Sequence, residues 1–367
     1  MNLLTVRVPG KLMLMGEYAV TEPGHPGVVA AIDRYLQCQL RTAPLFSVAF
    51  GNHRGLVLSG TTWEHLLNHL AANPALQLPA QALGILDQYF HDLVIEPRPF
   101  ELRITNELQA SSGTKYGLGS SAALTAAIIG GLLTWILPRP AAKEEIFKLA
   151  ALAHLAVQPR GSLADVAAAV FGGVMCYQRF DAERVIQWRM HQRLTTLVER
   201  PWPGLMVTPL TSHFPIPWRV GWTGQAASTP VMLDRAARFR GDHPEAFADF
   251  LTRSDAAVRA FVGALHTLSG QGLKEAVRQN RRALQELGTR ARLGIETPKM
   301  QNALDVVESW GGAGKSSGAG GGDIIVGWID GAQLGDLDRA WNGLNIDTLL
   351  LRCDEAGIAF GPVDPDE

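Results

Sequence analysis

Residues 315–323 read Lys-Ser-Ser-Gly-Ala-Gly-Gly-Gly-Asp, and Ile324, Ile325 and Val326 follow at once. Glycine loses more conformational freedom on ordering than any other residue. A run this dense in glycine is therefore either a flexible linker or a backbone that must come very close to something. The immediate return to apolar, strand-like sequence argues for close approach. An anion held by main-chain N–H groups is the natural object of it.

Two further segments invite the same reading. In Lys115-Tyr116-Gly117-Leu118-Gly119-Ser120-Ser121-Ala122-Ala123, two glycines precede two serines that open a long apolar run. The spacing predicts a helix to about Trp135, stopping before Pro138, with serine as its cap. A helix start offers free N–H groups and the positive end of the dipole, which suits phosphate. An ordinary glycine turn with a serine cap would read the same way. The third segment is Pro9-Gly10-Lys11 with Gly16-Glu17-Tyr18.

Other phosphate-loop patterns fit less well. Gly314-Lys315-Ser316 resembles the end of a P-loop, but Ser309 stands where the first glycine belongs, and the strand–loop–helix order is missing. Gly117-x-Gly119-x-x-Ala122 matches a dinucleotide fingerprint loosely, without an apolar strand directly before it. His65 and His69 lie four apart with no glutamate after His65, so a zinc-peptidase motif is absent and both read as structural.

The chain is long enough for two domains, and a break is expected near Pro201–Pro203, dividing it into 1–200 and 201–367. Strands are expected at 3–8, 28–40, 44–60, 99–105, 174–180, 205–210, 218–223, 324–329 and 347–353. Helices are expected at 62–72, 79–92, 120–135, 141–156, 163–171, 228–240, 244–268, 271–288 and 297–309. The first part mixes strands and helices and the second is richer in long helices, which predicts two α+β domains. Residues 311–322 are expected to be loop.

The formal net charge is −2, which does not point to nucleic acid or an anionic membrane as partner. Ala122–Leu137 is shorter than the ~20 residues of a membrane span and reads as a buried helix. Cys38, Cys176 and Cys353 are scattered and form no CxxC, so neither a disulfide framework nor a zinc site is expected. Inert buried thiols in a reducing cytoplasm are the simpler reading.

Together, the PGK…GEY region, the Gly117–Ser121 loop and the run at 315–323 resemble the three motifs of the galactokinase–homoserine kinase–mevalonate kinase–phosphomevalonate kinase (GHMP) superfamily. Within it, Lys115-Tyr116, GEYAV (16–20), DVAAAVFGGVMCYQRFD (165–181), Val220-Gly221-Trp222-Thr223-Gly224, Ala227-Ser228-Thr229 and IETP (295–298) look like the phosphomevalonate kinases. The likeness runs over nearly the whole chain, weakest at 42–98 and 182–204. It implies an α+β, two-domain kinase with a ribosomal-protein-like N-terminal domain, a ferredoxin-like C-terminal domain and a site between them. The implied substrates are ATP with Mg²⁺ and a small phosphorylated acceptor, and a monomer or homodimer in the cytoplasm is expected. A mevalonate kinase, a non-catalytic ligand sensor and a dinucleotide-dependent oxidoreductase are the rival readings.

The resemblance also implies roles. Lys11 and Asp165 match the catalytic pair, Asp165 acting either as base or as a positioning group. Lys115, Gly117, Leu118, Gly119, Ser120, Ser121, Ala122, Gly318, Gly320, Gly321 and Gly322 would hold the nucleotide, and Ser120 and Ser121 the metal. Lys11, Tyr18, Arg34, Ser162, Ser228, Thr229 and Ser317 would face the acceptor, with Arg290 and Lys299 as further candidate cations. Leu163 departs from the family pattern, where glycine is common, and Ile324 stands where cysteine is common.

Overall fold

A computed structural model of the chain describes residues 3–51, 56–109, 116–225 and 229–361. Its strands are β1 (Leu3–Met15), β2 (Pro26–Thr42), β3 (Phe46–Phe50), β4 (Leu56–Gly60), β5 (Phe100–Asn106), β6 (Val174–Gln178), β7 (Met206–Leu210), β8 (Trp218–Trp222), β9 (Ala313–Ser317), β10 (Ile324–Trp328), β11 (Asp347–Leu349) and β12 (Ala359–Gly361). Its helices are α1 (Trp63–Ala71), α2 (Gln77–Leu93), α3 (Ser120–Ile136), α4 (Lys143–Val157), α5 (Ala164–Phe171), α6 (Ala182–Arg189), α7 (Leu194–Glu199), α8 (Thr229–Asp242), α9 (Pro244–His266), α10 (Gly270–Arg290), α11 (Pro298–Ser309) and α12 (Leu334–Gly343).

Two mixed layers result, and the expected α+β class is borne out. The larger sheet runs β12-β1-β2-β5-β3-β4, with β6 on the other half of β2 and β7 outside β6. Among the described residues only β3 and β5 pair in parallel there. The smaller sheet, β11-β8-β10-β9, is antiparallel throughout. Both β7 and β12 join the larger sheet although they follow residue 200.

β1 is longer than the alternation at 3–8 predicts. From Val8 to Met15 every residue but Lys11 is buried, so the period-two signal disappears just where the strand passes through Pro9-Gly10-Lys11. The β1–β2 register also slips there, from Pro9 opposite Tyr35 to Gly10 opposite Ile32, leaving Asp33 and Arg34 in a bulge.

Helix α3 is apolar nearly all round and, apart from the half-buried Leu124, buried from Ala122 to Leu133, as a layer-spanning core helix must be. Of the expected loop at 311–322, residues 313–317 instead form β9, hydrogen-bonded to β10. Gly314-Lys315-Ser316 therefore lies on a buried strand, which removes the P-loop reading. The strand expected at 347–353 ends at Leu349, and α6, α7, α12 and β12 carried no signal that the sequence reading used. One apolar core joins the two sheets, running from Val6 and Ala126 to Phe261, Ile324 and Trp328.

Candidate active site

A cleft of about 530 Å³ opens where β1, α3 and α5 face the β9–β10 turn and the start of α8. Its floor follows from one glycine. Gly119 sits in the left-handed region at φ 83° and forms the N-cap of α3, with no side chain capping the helix. Ser120 and Ser121 are thus the first helical residues, not the expected cap. The N–H groups of the first turn have no acceptor within the helix, and Gly119, Ser120 and Ser121 line the cleft. Asn106 Nδ2 donates to Ser120 Oγ at 2.7 Å and holds that hydroxyl in place.

Lys11 lies across this turn. Its main-chain N–H donates to Leu118 O at 2.9 Å, and its Nζ donates to Gly117 O at 3.2 Å. A Cβ added to Gly119 would stand 2.8 Å from Lys11 Cγ and 3.7 Å from Asp165 Cβ, so Gly119 separates the two predicted catalytic side chains. A Cβ on Gly318 would stand 3.7 Å from Lys11 Nζ. The ammonium therefore lies between the first-sheet loop and the loop of the smaller sheet.

Asp165 lies in the first turn of α5, and its Oδ1 accepts the Val166 N–H at 3.0 Å. The turn before it is unusual. Leu163 is wholly buried at φ 65°, a conformation glycine adopts freely and leucine only with strain of about 1–2 kcal/mol. The backbone thus keeps the glycine-like shape although the side chain is apolar. Ser162 Oγ accepts the Ala164 N–H at 3.3 Å, and Tyr177 OH donates to Ser162 O at 2.9 Å.

A buried polar seam fixes the far wall. Lys315, 1% exposed, donates to Glu17, whose other carboxylate oxygen accepts from Asn280 Nδ2 at 3.0 Å. Asn280 Oδ1 accepts the Gly16 N–H at 3.3 Å. Ser317 Oγ accepts the Met13 N–H at 3.1 Å, and Tyr18 OH donates to Ala319 O at 2.6 Å. Burial drives the Lys315 ammonium below its usual pKa, an effect the Glu17 charge opposes. Burial also pushes the Tyr18 phenol well up.

Of the residues singled out from sequence, Lys11, Tyr18, Gly117, Leu118, Gly119, Ser120, Ser121, Ser162, Asp165, Thr229, Ser317 and Gly318 line the cleft. Ala122 points into the core. Gly320 packs against Ile295 O, Gly321 N–H donates to that same oxygen at 2.8 Å, and Gly322 lies beside Gln225. Arg34 lies 5.0 Å over the Tyr116 ring, which in turn meets Trp222 edge-on. Lys299 Nζ donates to Thr223 O and Asn345 O, and Arg290 pairs with Glu286. Lys115 and Ser228 lie outside the described residues. Sequence reasoning passed over Glu17, although it stands in a quoted motif, and also His154, Gln158 and Asp323, which line the cleft from separate elements. Cys38 is buried as expected, whereas Cys176 and Cys353 are only partly so; burial raises all three thiols.

The family "GHMP kinases N terminal domain" matches residues 77–173, and "GHMP kinases C terminal" matches residues 261–345. The chain is 30% identical to a phosphomevalonate kinase of Streptomyces sp. (strain CL190), over 97% of this chain and 96% of that protein. Among solved structures it resembles a Lin0012 protein from Listeria innocua, with TM-score 0.91, 33% identity, and coverage of 99% of this chain and 100% of that one. It also resembles Streptococcus pneumoniae phosphomevalonate kinase in complex with phosphomevalonate and AMPPNP, with TM-score 0.84, 25% identity, and coverage of 95% and 99%.

Proposed function

The chain belongs to the GHMP kinases, and from that premise we propose that it transfers the γ-phosphoryl group of ATP to (R)-5-phosphomevalonate, giving 5-diphosphomevalonate and ADP. The observation that carries the reading is the meeting of Lys11, the uncapped start of α3, Gly318 and Asp165 around Gly119.

Phosphoryl transfer asks a protein mainly for positioning and charge stabilisation. The free N–H groups at the start of α3 and the hydroxyls of Ser120 and Ser121 bind the nucleotide phosphates. Gly318 lets the second loop close on the same place. The acceptor's phosphate oxygen attacks the γ-phosphorus, the bond to the bridging oxygen breaks, and ADP leaves with the electron pair. Lys11 stabilises the charge that builds on the transferring group. The acceptor phosphate, with a second pKa of ~6, is largely deprotonated at neutral pH and needs no strong base. In this reading Asp165 orients Lys11 and the acceptor.

The donor set is oxygen only, which suits Mg²⁺. Ser120 and Ser121, together with nucleotide phosphates, would hold the ion, where it supplies charge neutralisation. Among the described residues no helix is long and apolar enough to cross a membrane. The reading is of a cytoplasmic enzyme, monomer or homodimer, acting on small molecules.

The test is ADP release with Mg-ATP and either mevalonate or 5-phosphomevalonate. Turnover is expected with phosphomevalonate alone. Lys11→Ala should lower kcat about 10²–10³-fold. Asp165→Asn should lower it without removing the pH profile of an acceptor that ionises by itself. Turnover with mevalonate alone would refute the acceptor assignment and leave the kinase.

A further inference from the structure

We propose that His154 is the residue that binds the acceptor's carboxylate. The inference rests on the phosphomevalonate reading and adds to it a recognition site at the other end of the acceptor.

His154 stands in the last turn of α4, is 2% exposed, and is one of the residues that border the cleft. Neither ring nitrogen has a hydrogen-bond partner among the described residues. Buried polar atoms are nearly always satisfied, so a partner is to be sought in the cleft that His154 borders.

The place of His154 within the cleft follows from its neighbours. A Cβ on Gly161 would lie 3.9 Å from His154 Nδ1, so the ring lies beneath the loop 158–161. That loop is held by Arg179, which donates to Thr21 O at 2.8 Å and to Pro159 O at 2.9 Å. Arg160 pairs with Asp234 at 2.6 Å and ties the loop to α8, which brings Thr229 and Leu233 to the cleft. His154 thus belongs to the end walled by Thr21, the loop and α8. Lys11, the Gly117–Ser121 turn and Gly318 make the end where phosphoryl transfer takes place.

Charge points the same way. Among the described residues lining the cleft, only Lys11 and His154 can carry positive charge, against the carboxylates of Glu17, Asp165 and Asp323. Phosphomevalonate has a phosphate at one end and a carboxylate at the other. Lys11 is engaged at the phosphates. His154 is left for the carboxylate and meets it by donating a ring N–H, a charge-assisted bond.

Steady-state kinetics on wild type, His154→Phe and His154→Asn test this. His154→Phe should raise the KM for phosphomevalonate about 10- to 100-fold, the size of one hydrogen bond to a charged group. The KM for ATP and kcat should stay within about threefold, and His154→Asn, which keeps an N–H donor, should recover most of the loss. An unchanged KM for the acceptor, or a rise in the KM for ATP instead, would overturn the assignment. Should the phenylalanine variant not fold, the wild-type His154 ring signals by NMR must shift when phosphomevalonate is added without nucleotide, and their constancy would equally refute it. Wild-type silence with phosphomevalonate would sink both the acceptor reading and this proposal, whereas turnover with an indifferent His154 would sink only the latter.

Discussion

At the scale of single residues, glycines that look alike in the sequence do different jobs. Gly119 leaves room for Lys11, whose Cγ would lie 2.8 Å from an added Cβ, and Gly320 leaves room for Ile295 O, 2.3 Å from one. Both are left-handed, at φ 83° and 77°. Gly119→Ala pushes on the flexible Lys11 side chain, to which the proposed mechanism gives the charge-stabilising role. It should fold, lose about 1–2 kcal/mol of stability from backbone strain, and lower kcat at least tenfold by displacing the ammonium. Gly320→Ala pushes on main chain, which cannot give way. Its loss should appear first in stability, about 2–5 kcal/mol from strain and overpacking together. Denaturant melts beside ADP-release assays on the two variants check the contrast, and equal kcat losses at equal stability would refute it. The sequence reading assigned the whole run 318–322 to an anion. In the structure Gly318 faces the cleft while Gly320 and Gly321 serve the Ile295 backbone.

At the scale of elements, α4 carries His154, and its start depends on Glu145. Arg139 grips that carboxylate with two bonds of 2.8 Å, Tyr89 OH donates at 2.6 Å, and the Ala142 N–H donates at 3.3 Å. Burial alone would raise the Glu145 pKa, but Arg139, Tyr89 and the backbone outweigh it and hold it below 4.5. A carboxylate with a depressed folded pKa contributes stability that is complete above its unfolded value of 4.5 and is lost as pH falls through the folded one. Glu145→Gln should therefore be less stable by about 1–3 kcal/mol near neutral pH. Its stability should also fall less steeply than that of wild type as the pH drops below 4.5. Parallel pH profiles in urea melts would remove Glu145 as the source. The cap was not legible in the sequence, because Tyr89 stands 56 residues before Glu145 and Arg139, though only six before it, lies outside the helix at no helical spacing.

At the scale of the molecule, the two sheets are joined by the seam of Glu17, Lys315, Asn280, Ser317 and Tyr18 and by a shared apolar core. Lys315 and Glu17 are both about 1% exposed at the side chain, so neither can be rescued by water when its partner is removed. Lys315→Met should cost about 3–5 kcal/mol by stranding Glu17, and Lys315→Met with Glu17→Gln should recover much of that. A double-mutant cycle in chemical denaturation measures the coupling, and additive losses would show that the pair does not couple the halves. The local patterns were enough to establish the α+β class, the long apolar helix α3 and the loops around Lys11 and Gly117–Ser121, because each depends on residues within one or two turns of each other. Only the tertiary structure decided that Lys315 is a buried strut, that Gly320 serves a neighbouring backbone, and that His154 borders the cleft with both ring nitrogens buried and unpartnered among the described residues. Those roles depend on burial and on partners far away in the chain, and neither leaves a period or a spacing in the sequence.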